Sequence, residues 1–350
     1  MPKWVGDIVM ATPVLRALRE RFSEAHITAA IGAGSLDLLH PCPWLDHLLP
    51  LPKSVITAAV TLRRGRFDTA LVLPNSFRSA LVTRLAGIEQ RIGYKRDGRS
   101  WLLTQGLTPQ RLADGAWKPV PMVDYYLQLA QEIGVQESAS RSIELRTNQQ
   151  DQSAADELLK RGGVEAQTES SPASGQHAQN GFTTDGRPIV LFNPGAANRG
   201  DTKLWPAERY GSLARHLIEK HNAVILVNGS PAERQVIDRV RAAADNKPID
   251  LPALGSGLRS IKPIAKRCAL AVSNDSGGRH IALAMGTPTI SLFGPTDPEW
   301  TRLDLPHETV ITAADGRMDS IAVEAVASVA DRLLSTSLTI QSSQAPEGAS

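Results

Sequence analysis

The sequence predicts an α/β protein of two domains, each built on a parallel sheet, and three observations carry that expectation. Short apolar runs alternate with amphipathic helical patterns, an order that places helices on both faces of parallel sheets. A polar stretch over 162–187 interrupts the alternation near the middle. The 350 residues, 42% of them hydrophobic, suffice for two cores of ordinary size.

The first helical pattern comes early. Ile8, Val9, Val14, Leu15, Leu18 and Phe22 recur at helical spacing, which predicts a helix over 9–22. The segment before it, "MPK", offers no apolar strand to feed such a helix, so the expected N-terminal domain lacks its first strand. Runs at 25–32, 68–75, 187–195, 222–230, 268–276 and 287–295 read as buried strands, each ending in or near Gly, Pro, Asn or Ser. Helices are expected over 76–87, 122–134, 207–220, 231–244 and 278–285. Residues 162–187 are rich in Gly, Ser, Gln and Thr and bury too little to offset their ordering entropy. They are read as a disordered linker or insertion between domains 1–161 and 188–334, with a second disordered stretch in the tail 335–350.

Composition excludes several classes. Lys and Arg total 38 against 36 acidic residues, a net charge of +2 that predicts no nucleic-acid partner. Cys42 and Cys268 form no CxxC pair, which argues against a disulfide framework or a zinc site and for a reducing cytoplasm. No apolar run approaches the roughly 18 residues of a bilayer span, so any membrane contact is peripheral. "GAGSLD" (32–37) lacks the third glycine of a dinucleotide loop, and no GxxxxGK[ST], HExxH or D-x-D occurs. The expected enzyme uses no metal and no resident cofactor.

The most informative stretch is "VSNDSGGRHIALAMGTP" (272–288), in which a strand meets the start of a helix at Asp275, Ser276 and Gly277. Free N–H groups and the positive end of the helix dipole would face an anion there, with His280 as a further donor. A plain N-cap by Asp275 or Ser276 beside a solvated His280 is the competing reading. "LFNPGAANRGDTKLWPAERYGSLARHL" (191–217) repeats the strand, loop and helix, and its Lys203 is suited to a diphosphate. Glu233, in a first helical turn, would bind ribose hydroxyls or complement the dipole. In the other half, Asp7 sits in a first turn as a candidate general base, and Gly6 before it permits close approach of a ligand. "PNSFRSAL" (74–81) and "RIGYKRDGRSWLL" (91–103) offer Asn75, Ser76, Arg78, Arg91, Lys95, Arg96 and Arg99 to an anionic acceptor, or simply a solvated basic loop.

Together "WVGDIVMATP", "LVLPNSFRSAL", "FNPGAANRGDTKLWP" and "VSNDSGGRHIALAMGTPTISLFGPTDPEWT" resemble the lipopolysaccharide heptosyltransferases of glycosyltransferase family nine, most like the heptosyltransferase II type, over residues 3–334. The resemblance implies a GT-B architecture of two Rossmann-like domains facing across a cleft. It implies inverting, metal-independent transfer of L-glycero-D-manno-heptose from ADP-heptose to the inner core on lipid A, at the cytoplasmic face of the inner membrane. Asp7 matches the family's base, Lys203 its phosphate lysine, Asp275, Ser276, Gly277 and His280 its diphosphate loop, and Glu233 its ribose acid. Leu258 and Ile261 are the expected base contacts in a segment, 251–268, that departs from the family pattern. Another nucleotide sugar as donor, a non-catalytic nucleotide-sugar or glycolipid-binding protein, and a nucleotide-sugar epimerase stay open on the residues alone.

Overall fold

The computed structural model describes residues 1–167, 181–196 and 200–343. The chain divides into two compact units, Met1–Leu145 with Pro298–Leu303, and Arg146–Asp297 with the segment from Asp304 onward. Unit 1 contains α1 (Val5–Met10), α2 (Thr12–Arg21), β1 (Thr28–Gly32), α3 (Leu36–Leu39), β2 (His47–Leu51), α4 (Val55–Arg64), β3 (Thr69–Val72), α5 (Phe77–Leu85), β4 (Gln90–Gly93) and α6 (Met122–Gln131). Unit 2 begins with α7 (Gln149–Arg161), β5 (Ile189–Asn193), α8 (Ala207–His221), β6 (Val224–Val227), α9 (Arg234–Ala242) and β7 (Ile249–Asp250). It continues through α10 (Leu258–Lys266), β8 (Leu270–Asn274), α11 (Gly277–Ala284), β9 (Thr289–Phe293), β10 (Glu308–Thr312) and α12 (Val323–Ser343).

In unit 1 the first helix begins at Val5, earlier than periodicity predicts, and breaks at Ala11. Pro13 lacks the N–H that would reach the Val9 carbonyl, and the Thr12 hydroxyl donates to that carbonyl instead, at 2.7 Å. The strands form two separate parallel pairs, β1 with β2 and β3 with β4. The Met1 amino group donates to the Ala30 carbonyl of β1 at 2.7 Å, and burial lowers its pKa to about 6. Strands β2 and β4 escape a sequence reading because each is short and begins or ends in polar residues.

Unit 2 holds one six-stranded parallel sheet in the order β10-β9-β8-β5-β6-β7. Every residue of β5, β6, β8 and β9 is buried, the pattern of strands covered on both faces. Read from β5 outward this is the doubly wound order, whose topological switch point lies between β5 and β8. Two α/β units, one of them Rossmann-like, agree with the GT-B class expected above.

Three boundaries differ from expectation. The units divide after Leu145 rather than at 161, because α7 packs along α10. Asp151 of α7 is buried and pairs with Arg259 at 3.3 Å and Lys262 at 3.6 Å, and Lys262 also donates to the Arg146 carbonyl at 3.0 Å. Part of the expected linker is structured: Ala166 bridges Thr183, Phe182 bridges Pro188, and Phe182 is packed in the unit 2 core. One aromatic side chain anchors a run whose average composition is polar; residues 168–180 of the expected linker lie outside the described residues. Helix α12 continues to Ser343, past the expected fraying at 335, with Leu334 buried at its middle; the rest of the tail, 344–350, lies outside the described residues.

Candidate functional site

The switch point of unit 2 gathers three strand-end loops. Strand β5 runs into Pro194 and Gly195, β6 into Asn228–Ser230, and β8 into Asp275 and Ser276 ahead of α11. Asn274, fully buried at the end of β8, ties the first and third loops together. Its amide donates to the Pro194 carbonyl at 2.6 Å, and its Oδ1 accepts from the Trp205 backbone N–H at 3.3 Å and the Tyr210 hydroxyl at 3.2 Å. It thereby holds both ends of the loop that carries Lys203, a positioning role the sequence reading missed. Residues 197–199 of that loop lie outside the described residues.

Lys203 and Asp275, 72 residues apart in sequence, meet in an ion pair of 2.9 Å with both side chains largely buried. Burial pushes the Asp275 carboxyl upward, but the Lys203 ammonium, with the Arg279 guanidinium behind it, outweighs this and holds it below the ordinary range. Ser276 is the N-cap of α11 and makes no side-chain capping bond, so the plain capping role read for it in the sequence is not the one it fills. A Cβ on Gly278 would lie 2.5 Å from the Asn193 carboxamide, which explains the glycine at that turn. Gly277 precedes it as the first residue of α11. Glu233 Oε2 accepts from the Ser230 N–H at 2.6 Å and hydroxyl at 2.8 Å. Its Oε1 lies over Gly195, where a Cβ would sit 1.9 Å from it, so one carboxylate both closes its own turn and packs on the β5 loop. Ile261 is buried within α10, while Leu258, at the start of that helix, is half-buried.

His280 is placed differently from expectation. It is buried, its Nδ1–H donates to the Ser276 carbonyl at 2.9 Å, and its Nε2 faces Arg279 Nη1 at 3.3 Å. With Nε2 as an acceptor from a guanidinium, the ring is neutral and braces the loop from behind. Arg279 is in turn held by Glu308 at 2.7 Å and by the Ser291 hydroxyl at 3.0 Å. The sequence placed His280 on the correct turn, but only packing decides which way the ring faces. Burial lowers the His280 pKa to about 4, and Arg279 adds repulsion. The unfolded chain takes up this proton near the ordinary value of 6.5, the folded one not until about 4. Stability is therefore expected to fall as pH drops through that window, by about 1.4 kcal/mol per pH unit from this one group. Urea unfolding of wild type and His280→Gln at a series of pH values between those limits tests this. An identical slope in both would show that the ring is not the titrating group.

Unit 1 contributes Asp7 and a polar cluster. Asp7 lies in the first turn of α1, half-buried, directly after Gly6. Burial raises the Tyr126 phenol well above its ordinary range, and the nearby Asp7 charge adds to the effect. Tyr126 packs edge-on against Tyr125 at 6.2 Å between ring centroids, and Tyr125 stacks on Tyr94 at 3.6 Å. The Tyr125 hydroxyl donates to Asn75 Oδ1 at 3.2 Å, which also receives Arg99 Nη2 at 3.3 Å. Ser76 caps α5 by accepting from the Ser79 N–H at 3.2 Å. Arg96 pairs with Asp97 at 2.9 Å and lies over the Trp117 ring at 4.4 Å.

Three of the arginines expected to meet the acceptor donate to backbone carbonyls. Arg78 donates to the Pro52 and Lys53 carbonyls at 2.8 and 2.9 Å. Arg91 donates to the Leu102 carbonyl at 2.8 Å and to those of Ile88 and Glu89. Arg99 is fully buried, donating to the Tyr94 and Pro74 carbonyls. Arg78 and Arg99 reach carbonyls 25 or 26 residues away, and Arg91 reaches nearer ones; a run of charges along the chain reveals none of these pairings. Among the described residues, no group of three or more His, Cys, Asp and Glu side chains is placed to hold a metal ion.

Comparison with known proteins follows the same features. The family model described as glycosyltransferase family 9 (heptosyltransferase) matches residues 56–325. The chain is 30% identical over 312 residues to lipopolysaccharide heptosyltransferase 2 of Escherichia coli, covering 86% of this chain and 83% of that protein. It is also 30% identical over 333 residues to lipooligosaccharide heptosyltransferase 2 of Haemophilus ducreyi, covering 91% and 89%. Among solved structures, that of the E. coli ADP-heptose LPS heptosyltransferase II superposes with a TM-score of 0.75 at 27% identity, over 96% of this chain and 97% of that one. The match runs through both units and takes in Lys203, Glu233 and the 275–280 turn, so the chain belongs to glycosyltransferase family 9, the heptosyltransferases.

Proposed function

We propose that this glycosyltransferase moves L-glycero-D-manno-heptose from ADP-heptose onto the inner core of lipopolysaccharide, inverting the anomeric centre without a metal. The observation that carries the donor half is the Lys203–Asp275 pair beside the start of α11, at the switch point of a doubly wound sheet. ADP leaves with negative charge on its terminal phosphate. Lys203 and the first-turn N–H groups of α11 take up that charge in place of a cation, with Ser276 and Gly277 lining the turn and Asp275 orienting the ammonium. Glu233 binds the ribose hydroxyls through the oxygen that lies over Gly195. His280 contributes by bracing the turn.

Unit 1 supplies the other partner of the displacement. The Asp7 carboxylate takes the proton of an acceptor hydroxyl as its oxygen bonds to the anomeric carbon, and the bond from that carbon to the ADP oxygen breaks on the opposite face. Asn75, Ser76 and Arg96, near the tyrosine cluster, bind the anionic acceptor, and Gly6 allows it to approach the turn. The acceptor carries lipid A, so the protein works in the cytoplasm at the inner face of the inner membrane as a peripheral protein. No helix among the described residues is long and apolar enough to cross a membrane.

Incubation with ADP-heptose and heptose-deficient lipopolysaccharide tests the reading, with the product followed by mass spectrometry and the new anomeric configuration by NMR. One added heptose of inverted configuration is expected, in the presence of a chelator as in its absence. Turnover of another nucleotide sugar with none of ADP-heptose would overturn the donor assignment.

A further inference from the structure

Helices α4 and α5 pack side by side through Ala58 and Leu62 against Val82 and Ala86. Arg63 of α4 donates to the Leu85 carbonyl at the end of α5 at 2.7 Å, so the two outer surfaces belong to one face of unit 1. That outer face is unusual in composition. On α4 the residues at four-residue spacing, Ile56, Val60 and Arg64, are exposed, Ile56 by 74%. On α5 the exposed positions are Phe77, Arg84 and Leu85. Trp101, 62% exposed, extends the face: its ring lies 6.2 Å from that of Phe77, with the Arg84 guanidinium over it at 5.6 Å.

Neither helix carries an Asp or Glu. From Lys53 to Arg99 there are ten Lys and Arg against three acidic residues, in a chain whose total is only +2. The arginines at 78, 91 and 99 are spent on internal carbonyls, which leaves Lys53, Arg64, Arg66 and Arg84 exposed around the apolar side chains. An ordinary solvated helix pair mixes charges of both signs and exposes few large apolar groups. Asp68 and Glu89 lie beside Arg63 and Arg66 at one end of the helix pair, but the face itself joins large aliphatic and aromatic side chains to an excess of cations, which is complementary to an anionic lipid surface, where the rings enter the headgroup boundary and the cations meet phosphates.

We propose that the outer face of α4 and α5, with Trp101, docks on the anionic phospholipid surface of a bilayer. The proposal rests on the reading that the acceptor is a membrane-borne glycolipid, and Ser76, in the proposed acceptor segment, caps the same helix α5. Docking through this face presents unit 1 to the lipid plane in one orientation. Apolar insertion separates a bilayer from a nucleic acid or an acidic protein, for which the charges alone would suffice.

Sedimentation of the full chain with vesicles of phosphatidylcholine alone, and of phosphatidylcholine with phosphatidylglycerol, tests it. Binding to the anionic vesicles is expected at least about tenfold tighter, weakening with added salt. Ile56→Ser/Trp101→Ser and, separately, Arg64→Glu/Arg84→Glu should each lower it by about tenfold or more. All four side chains are exposed, so the variants keep the wild-type melting temperature. No preference for anionic vesicles, or binding that survives the apolar substitutions, would overturn the assignment; loss on charge reversal alone would point to a polyanion or an acidic protein. Transfer of sugar to a deacylated, water-soluble acceptor should be unchanged in both variants. That assay reports the glycosyl-transfer reading by itself, so failure of one proposal is distinguishable from failure of the other.

Discussion

Lys203→Met is expected to lower kcat/KM for the nucleotide sugar by about 100- to 1000-fold, the usual loss when a preorganised group facing developing charge is removed. A second consequence follows from the pairing at 2.9 Å with Asp275. Removing the ammonium leaves a mostly buried carboxylate without its main counter-charge, which costs stability, by up to about 3 kcal/mol for a pair this enclosed. Lys203→Met/Asp275→Asn separates the two effects. Its neutral pair should regain most of the melting temperature while transfer stays low, because the ammonium proposed to face the diphosphate is still missing. Donor affinity measured by calorimetry and turnover by product release check both halves. A single variant with donor KM and kcat within about threefold of wild type would show that Lys203 does not meet the leaving group.

Asp7→Asn is expected to lower kcat by about 100- to 10,000-fold while leaving the affinity for ADP almost unchanged. The substitution keeps shape and removes basicity, and the loops proposed to hold the diphosphate lie in the other unit. Loss of one negative charge from a first helical turn costs only about 0.3–1 kcal/mol, so the fold should persist. Asp7→Glu restores a base at altered reach and should recover part of the rate. Wild-type kcat in Asp7→Asn would remove Asp7 from the proton transfer, and a parallel loss of ADP affinity would mean that the residue acts on the fold instead.

How much of this was legible beforehand depended on whether a feature is local. Each of the expected strands and helices is present because a buried parallel strand is a short apolar run and a surface helix repeats every 3.6 residues, and both patterns are visible within a dozen positions. Strands β2, β4, β7 and β10 were invisible because they are short or half-exposed and carry no such signature. The same limit applied to Phe182, whose burial anchors a stretch that is polar on average.

At the site, the residue types and their places at strand ends could be read directly, since a glycine-bearing turn between strand and helix is itself a local motif. The sequence by itself therefore determined the α/β class, the loops that carry Lys203, Glu233 and Asp275, and Asp7 in an opening helical turn. Only the tertiary structure decided which side chains hold the loops in place. It turned His280 inward onto the Ser276 carbonyl, committed Arg78, Arg91 and Arg99 to backbone oxygens, and made Asn274 the clamp between β5 and β8. The physical reason is the same in each case. A buried hydrogen-bonding group must find a partner, and here the partners lie up to 80 residues away along the chain, as Asn274 and Pro194 do.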